Sequence, residues 1–243
     1  MCESCGCGDA AVVPVEVHDH LLAANDRMAR HTRSHFQELG VLAINLMGSP
    51  GSGKTALLEA TARITKGRIR LGALSGDLAT DRDAARLRAA GIPAKEITTG
   101  SACHLDAELV HRALHDFPWD DLDVLAIENV GNLVCPAIYD LGQAANVVVL
   151  SVTEGEDKPL KYPVMFRKAD LVVLTKVDLL PHLPEVRVST LVEALARVMP
   201  SPTLLQLSAR TGEGMDAWVQ WLAARARPIP LTARALERSR KSV

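Results

Sequence analysis

The sequence predicts an α/β fold, doubly wound, in which helices cover both faces of a mostly parallel sheet. Short apolar runs without polar alternation recur along the chain, as expected for strands that are buried on both faces. Patterns with helical spacing lie between most of these runs. This order of elements is typical of a parallel sheet with crossover helices.

The first predicted element is an amphipathic helix at 18–38, where Leu22, Met28 and Phe36 recur among polar residues. The apolar runs predict six strands, at 41–47, 68–74, 122–127, 146–152, 171–175 and 203–207. The later helical patterns lie near 54–66, 80–90, 104–116, 160–168, 186–198 and 213–226. The predicted organisation is a Cys-rich metal-binding tail and linker at 1–17, a helix at 18–40, the main domain at 41–230 and a basic tail at 231–243.

The composition is that of an ordinary globular protein, with 48% hydrophobic and 23% charged residues among 243. The net charge of −2 gives no general attraction to nucleic acid or to an anionic membrane. No apolar run approaches the roughly 20 residues that span a bilayer, and no basic segment precedes an apolar stretch at the N-terminus. We therefore expect a cytoplasmic protein that binds neither nucleic acid nor membrane.

The segment GSPGSGKT fits the phosphate-loop pattern GxxxxGKS/T and lies between a predicted strand and a predicted helix. A glycine-rich turn that matches by chance is the alternative, but the strand, loop and helix order favours nucleotide binding. Lys54 is expected to reach the β- and γ-phosphates, and Thr55 to bind Mg²⁺. The residues of this segment expected to bind the nucleotide are Gly48, Gly51, Ser52, Gly53, Lys54 and Thr55. The main domain is thus predicted to be of the P-loop NTPase type.

Two acidic residues follow other predicted strands. Glu128 begins the segment ENVG, which is similar to the DxxG element of GTPases with Glu in place of Asp. Gly131 is expected to offer its amide to the γ-phosphate, and Glu128 to hold Mg²⁺ through water. Asp77, after the second run, is a further candidate near Mg²⁺, with a turn or capping Asp as the alternative. Lys54, Glu128 and Asp77 together form the predicted catalytic set.

Two later segments indicate which base is bound. The segment Thr175, Lys176, Val177 and Asp178 resembles the NKxD motif of GTPases, with Thr in place of Asn. The Asp178 carboxylate would accept hydrogen bonds from two guanine nitrogens, and adenine offers no such pair of donors. The segment Ser208, Ala209 and Arg210 follows the sixth predicted strand, where GTPases place a loop over the base. Together these matches favour GTP and GDP over adenine nucleotides.

Three of the five cysteines, Cys2, Cys5 and Cys7, lie within the first seven residues. This spacing lets a short loop fold around one thiophilic ion, and metal binding is the better expectation for a chain without a visible signal peptide. Exposed thiols without a role are the alternative. Thiolate ligands alone do not decide between Zn²⁺ and Ni²⁺.

The other two cysteines flank predicted elements of the main domain. Cys103 and His104 stand at the start of a predicted helix, and Cys135 lies four residues beyond Gly131. A lone cysteine is usually a small buried apolar residue. A metal bound by all three side chains would instead be tied to the loop that senses the γ-phosphate, and a symmetric dimer could supply a missing fourth ligand.

The combination of an N-terminal MCxxCxC, the phosphate loop, the SGD element, the Cys-His pair and the segment ENVGNLVCP resembles the HypB family. That family consists of GTPases that assist nickel insertion into nickel–iron hydrogenase. The resemblance implies a nickel site at the N-terminal cysteines and a Zn²⁺ or Ni²⁺ site at Cys103, His104 and Cys135. It also implies GTP-dependent homodimerisation and two partners, a HypA-type nickel and zinc accessory protein and the precursor of the hydrogenase large subunit.

The expected function is therefore a GTP-hydrolysing nickel metallochaperone, in which hydrolysis acts as a switch. The first rival is another metal-centre GTPase, such as the urease accessory protein. A non-catalytic zinc-binding regulator or storage protein is a rival of a different class. Some HypB proteins store nickel in a histidine-rich stretch. Here His18, His20, His31 and His35 are interpreted as a solvated helix face.

Overall fold

The structure, a computed structural model, describes residues 15–77, 82–100 and 102–226. Its centre is a seven-stranded sheet in the order β3-β2-β4-β1-β5-β6-β7, and all of the strand pairs are parallel. The strands are β1 Leu42–Met47, β2 Leu71–Asp77, β3 Ala94–Thr98, β4 Val124–Glu128, β5 Ala145–Ser151, β6 Leu171–Thr175 and β7 Leu204–Gln206. The α-helices are α1 Val15–Glu38, α2 Lys54–Thr65, α3 Arg82–Ala89, α4 Ala107–Leu114, α5 Lys158–Lys161, α6 Pro163–Arg167, α7 Val188–Val198 and α8 Met215–Arg225.

Alternate side chains of the central strands pack against different helices. From β1, Ile44 and Leu46 join the cluster that contains α2, α3 and α8. Ala43 packs with α1 and α4, and Met47 with α6 and α7. The sheet is therefore apolar on both faces, which explains why its central strands appear in the sequence as continuous apolar runs. The predicted doubly wound α/β fold is confirmed.

The strand β3 was not predicted. Its sequence, AKEIT, has charged residues at Lys95 and Glu96, and only Ile97 is fully buried. As the edge strand it pairs with β2 alone, so most of its side chains remain partly in contact with solvent. An edge strand of this kind lacks the apolar run by which the other strands were predicted.

Two helices also differ from their predicted extent. The pattern at 160–168 forms two short helices, α5 and α6, because Pro163 follows a residue with non-helical backbone angles, Tyr162. The helix predicted at 18–38 begins at Val15, within the region that the sequence analysis assigned to the tail.

All seven parallel strands end at the same edge of the sheet, and the loops beyond that edge carry the predicted site residues of the main domain. Cys2, Cys5 and Cys7 lie outside the described residues, as do most of the two predicted tails. Among the residues that the structure describes, no helix has the length and apolar character needed to cross a bilayer.

The helix that follows the phosphate loop is held in place by a buried indole. Trp218 of α8 donates from Nε1 to the Thr61 hydroxyl of α2 over 2.8 Å, and it is fully buried. Trp221 stacks on it at 5.5 Å between ring centroids, but the buried Trp221 Nε1 has no hydrogen-bond partner in the described chain.

We expect Trp218→Phe to lower the free energy of unfolding by about 1–3 kcal/mol, because a buried hydrogen bond is lost and a small cavity is created. Trp221→Phe is the matched control, since it removes a buried N–H that has no partner and should cost less. Urea denaturation followed by circular dichroism measures both changes. Equal losses in the two variants would contradict the assigned role of the Thr61 bond.

Candidate nucleotide and metal sites

The phosphate loop leaves the end of β1 and enters α2 at Lys54, and its glycines permit this path. Gly48 has φ of +154°, and a Cβ atom there would lie 2.3 Å from the Val149 carbonyl oxygen of β5. Gly53, which precedes α2, has φ of +101°. Larger residues would be strained or would collide at these positions, so the sequence of the loop fixes its close approach to the sheet. Its predicted position between a strand and a helix N-terminus is the position observed.

The side chain of Lys54 spans this loop. Its ammonium donates to the carbonyl oxygens of Gly48 at 3.3 Å and Ser49 at 3.2 Å. Burial lowers the pKa of Lys54, while the nearby Glu128 carboxyl opposes that shift. A buried ammonium beside a loop of glycine amides is suited to contact phosphate oxygens.

Glu128 lies at the end of β4, beside the first turn of α2. Its Oε1 accepts a hydrogen bond of 2.7 Å from the Thr55 hydroxyl, and the residue is only 3% exposed. Burial raises the pKa of Glu128 to about 7. Within the described chain, its other oxygen, Oε2, is buried without a partner. An unpartnered carboxylate oxygen next to a threonine hydroxyl is a donor set that fits Mg²⁺.

The segment after Glu128 packs directly onto the phosphate loop. A Cβ atom at Gly131 would lie 2.8 Å from Cγ and 2.9 Å from the backbone nitrogen of Pro50. Asn132 forms an isolated antiparallel bridge with Gly48. The amide of Gly131 is thus close to the loop, as its predicted role requires.

The last member of the predicted catalytic set, Asp77, lies at the end of β2. Two residues earlier, Ser75 is paired in register with Glu128 of β4, so Asp77 extends beyond Glu128 along the same edge. The Asp77 carbonyl accepts a hydrogen bond from the Thr99 amide over 3.0 Å, which ties the end of β2 to the chain after β3.

At the other end of the loop, the residues predicted to contact the base lie at and just after the end of β6 and in the chain after β7. Asp178 lies 3.6 Å from the Arg210 guanidinium. The Ser208 hydroxyl accepts from the backbone amide of Arg210 and orders the turn that contains Ala209. The structure therefore brings both predicted segments together.

Two residues of the TKVD segment hold the phosphate loop itself. The Thr175 hydroxyl donates to the Ser52 carbonyl over 2.6 Å, and Thr175 is buried. Lys176 has φ of +60° and donates from Nζ to the Gly51 carbonyl over 2.8 Å. Thr175 therefore supports the loop, and Asp178 is the residue of this segment suited to the base.

The second site contains Cys103, His104 and Cys135. The two sulfur atoms are 2.9 Å apart, and Cys103 Sγ lies 3.8 Å from His104 Nδ1. One ligand atom from each residue lies within 4.8 Å of the others, and all three residues are half-buried. Two thiols and one imidazole form a donor set that Zn²⁺ and Ni²⁺ accept.

The surroundings of this cluster restrict its side chains. The pKa of the Cys135 thiol is raised, first by its hydrogen bond with Cys103 and then by burial, whereas burial lowers the pKa of His104. Tyr139, which the sequence analysis missed, stacks on the His104 ring at 4.0 Å between centroids. The stacking fixes the plane of the imidazole.

Side-chain amides connect this cluster to the end of β4, and they too were missed. Asn129 Oδ1 accepts from the backbone amide of Leu105 over 3.2 Å, and Asn129 Nδ2 donates to Asn45 of β1 over 3.1 Å. Asn132 Nδ2 donates to the Cys103 carbonyl over 3.5 Å. The only sequence signal was the occurrence of Asn45 within an otherwise apolar strand.

Comparison with known proteins agrees with this architecture. Residues 42–204 match the family model described as the CobW/HypB/UreG nucleotide-binding domain. The hydrogenase maturation factor HypB of Azotobacter chroococcum mcd 1 is 50% identical over 208 residues, which cover 86% of this chain and 68% of that protein. The HypB of Escherichia coli K12 is 49% identical over 208 residues, covering 86% of this chain and 71% of that protein.

Solved structures give the same result. The crystal structure of HypB from Helicobacter pylori, determined in complex with nickel, has a TM-score of 0.79 and 39% identity, covering 84% of this chain and 95% of that chain. HypB from Archaeoglobus fulgidus has a TM-score of 0.78 and 39% identity, covering 85% of this chain and all of that chain. With this sequence identity, coverage and fold, the chain belongs to the HypB family of hydrogenase maturation factors.

Proposed function

We propose that the protein is a GTP-hydrolysing nickel metallochaperone that assists nickel insertion into nickel–iron hydrogenase. The observation that carries the proposal is the course of one short segment. It begins at Glu128, which is bonded to Thr55, passes Gly131 against the phosphate loop, and ends at Cys135 in the thiol and imidazole cluster. Because a nucleotide site and a metal site share this segment, binding at one site can change the affinity of the other.

In the nucleotide part of this proposal, Lys54 binds the β- and γ-phosphates. Thr55 and Glu128, with Asp77 nearby, hold the Mg²⁺ that neutralises phosphate charge. Asp178 accepts hydrogen bonds from guanine, and the turn of Ser208–Arg210 covers the base. Phosphoryl transfer depends mainly on positioning and charge neutralisation. We therefore expect slow intrinsic turnover of GTP, which is sufficient for a switch.

In the metal part, Cys103, His104 and Cys135 hold Ni²⁺ or Zn²⁺, which is cargo or a signal and not a group that reacts with GTP. A tetrahedral ion requires a fourth ligand, and a second copy of the chain bound in the presence of GTP is the proposed source. The nearby side chains of Val134 and Ile138 are apolar and exposed, as such a contact would require.

The remaining parts of the proposal rest on resemblance to the family. Cys2, Cys5 and Cys7 form a separate nickel site, and the metal passes between a HypA-type accessory protein, this chain and the precursor of the hydrogenase large subunit. The relatives described above are hydrogenase maturation factors, which supports the hydrogenase role alone.

A first prediction concerns the base. Asp178→Asn should weaken GDP binding at least tenfold, because an amide presents one acceptor where the carboxylate presents two. The same variant should gain affinity for xanthosine diphosphate, whose second carbonyl oxygen can accept from the new amide. Fluorescent-nucleotide competition measures both affinities, with the exposed Asp216→Asn as the matched control. Equal turnover of ATP and GTP by the wild type would contradict the guanine assignment.

A second prediction concerns Glu128 in the nucleotide-free protein. A carboxyl whose folded pKa is raised from 4.5 to about 7 keeps its proton in the folded state while the unfolded chain releases it. The group therefore reduces stability as pH rises from about 4.5 to 7. Glu128→Gln should raise the free energy of unfolding by about 1–3 kcal/mol at pH 8, with little gain at pH 5.

Denaturation in EDTA at several pH values measures this effect, and the exposed Glu193→Gln on α7 is the control. Glu128→Gln should also lose Mg²⁺-dependent tightening of GTP binding, because the neutral amide holds the cation less well. A pH dependence of stability identical to that of the wild type would show that Glu128 is not the titrating group.

A third prediction tests coupling between the sites. Metal affinity at the Cys103 cluster should differ between the GDP form and a GTP-analogue form by about 5- to 150-fold, the usual range of such couplings. Cys135→Ala should abolish the difference, since Cys135 is the ligand nearest Gly131. His104→Ala should weaken the metal in both forms and keep part of the difference. Competition with a chromophoric chelator, on protein without residues 1–8, measures the affinities; equal values in both nucleotide forms would refute the coupling.

A further inference from the structure

The helix α1 packs against two parts of the chain that flank the thiol and imidazole cluster. On one side is α4, where the His111 ring lies 5.2 Å from that of His31 and 6.1 Å from that of His35, between centroids. The sequence analysis interpreted these α1 histidines as a solvated face, but in the structure both pack beside a ring of another helix. On the other side is the turn at Gly142, where a Cβ atom would lie 2.9 Å from the Ala29 carbonyl oxygen of α1.

One buried side chain of α1, that of Asn25, joins these two parts directly. Its Oδ1 accepts a hydrogen bond of 2.9 Å from the backbone amide of Ala107, and its Nδ2 donates to the backbone carbonyl of Asp140, also over 2.9 Å. The residue is 9% exposed. A backbone amide can only donate and a backbone carbonyl can only accept, so both the oxygen and the nitrogen of the Asn25 side chain are needed.

The two residues that Asn25 holds belong to the two segments that form the cluster. The first segment, 103–107, contains two of the proposed metal ligands and ends at the start of α4. The second segment, 135–140, contains the third ligand and also Tyr139, whose ring stacks on the His104 imidazole at 4.0 Å between centroids. Because Asn25 is bonded to the main chain of both segments, it limits how far they can separate.

Two other side chains each secure one of these segments. In the first segment, the Leu105 amide donates to Asn129 Oδ1 over 3.2 Å. In the second segment, the Asp140 carboxylate accepts bonds of 2.6 and 2.7 Å from Arg33 Nη2 of α1. Asn25 differs from both, because its single planar amide sets the distance between the two main chains. A change in that distance would displace the ligands of one segment relative to the ligand of the other.

We propose that Asn25 is a positioning residue of the metal site, through which α1 controls the affinity of the cluster for its ion. The proposal rests on the metal part of the proposed function, in which Cys103, His104 and Cys135 hold Ni²⁺ or Zn²⁺. Asn25 is not itself a ligand. It holds the two segments at the separation that the ion requires, as outer partners orient the ligands of other metal sites. Any contact that displaces α1 should therefore lower the metal affinity.

The test compares Asn25→Leu with Thr32→Val, a matched change on the same helix. Leucine is close in size to asparagine, and it removes both hydrogen bonds. Thr32 is buried, and its hydroxyl lies 3.3 Å from His111 Nδ1 of α4, outside both segments. Thr32→Val therefore weakens the contact of α1 with α4 without releasing either segment.

The probe is Co²⁺, whose absorption spectrum depends on thiolate ligation and coordination geometry, with Zn²⁺ as the competitor. All of the proteins are full chains that also carry Cys2→Ser, Cys5→Ser and Cys7→Ser, so that the N-terminal thiols are silent. Asn25→Leu should lower the affinity for both ions by about 10- to 100-fold, the usual effect of losing an outer partner, and alter the Co²⁺ spectrum. Thr32→Val should keep the affinity and the spectrum of the parent protein.

Asn25→Asp is a milder variant that keeps the proposal testable if Asn25→Leu fails to fold. Its carboxylate still accepts from the Ala107 amide at the start of α4, but it cannot donate to the Asp140 carbonyl. The Co²⁺ affinity of this variant should fall below that of the parent protein, and by less than in Asn25→Leu. Urea denaturation of the metal-free proteins measures the loss of stability separately.

Two results would overturn the positioning role. One is that the Asn25 variants keep the affinity and the spectrum of the parent protein, and the other is that Thr32→Val loses as much affinity as Asn25→Leu. Cys103→Ala in the parent protein tests the proposed function separately. If that change leaves Co²⁺ binding intact, the cluster is not the metal site, and the metal part of the proposed function fails together with this inference.

Discussion

The close approach of Gly131 to Pro50 constrains the loops at the edge where the parallel strands end. A side chain at position 131 would meet the backbone of the phosphate loop within 3 Å, so only glycine lets the segment that leaves β4 pack this closely on the loop. The same segment carries Glu128 beside Thr55 at one end and Cys135 beside Cys103 at the other. Asn129 and Asn132 anchor the same segment to the chain around Cys103 through side-chain hydrogen bonds.

Two buried ionisable side chains, Lys54 and Glu128, lie beside the phosphate loop. The pKa of Lys54 is lowered and that of Glu128 is raised, in both cases first because burial disfavours the charged form. A Mg²⁺ ion would stabilise the ionised carboxylate, and phosphate oxygens would stabilise the ammonium. Burying these two groups in charged form is unfavourable unless opposite charges compensate them, so a ligand that supplies those charges gains affinity here.

The sequence predicted features that depend on local pattern, and it failed where distant residues decide. The central strands were found because both faces are buried, and the phosphate loop because eight consecutive residues define it. The edge strand β3 has no apolar run, and Pro163 divides a helix that periodicity alone predicts as continuous. The contacts of Asn129 with Asn45 and of His35 with His111 join residues more than seventy positions apart in the chain. No local sequence pattern predicts such contacts, because they form only when the helices and strands pack together.

The charged edge strand also affects how the protein avoids aggregation. β3 pairs with β2 on one side only, and its other side is the kind of edge onto which a foreign strand can add. Lys95 is bound there by Asp116 and by the Ala113 carbonyl, so its ammonium stays beside the strand. A strand that extended the sheet would have to remove Lys95 and Glu96 from water. The charged side chains of β3 therefore oppose growth of the sheet at this edge.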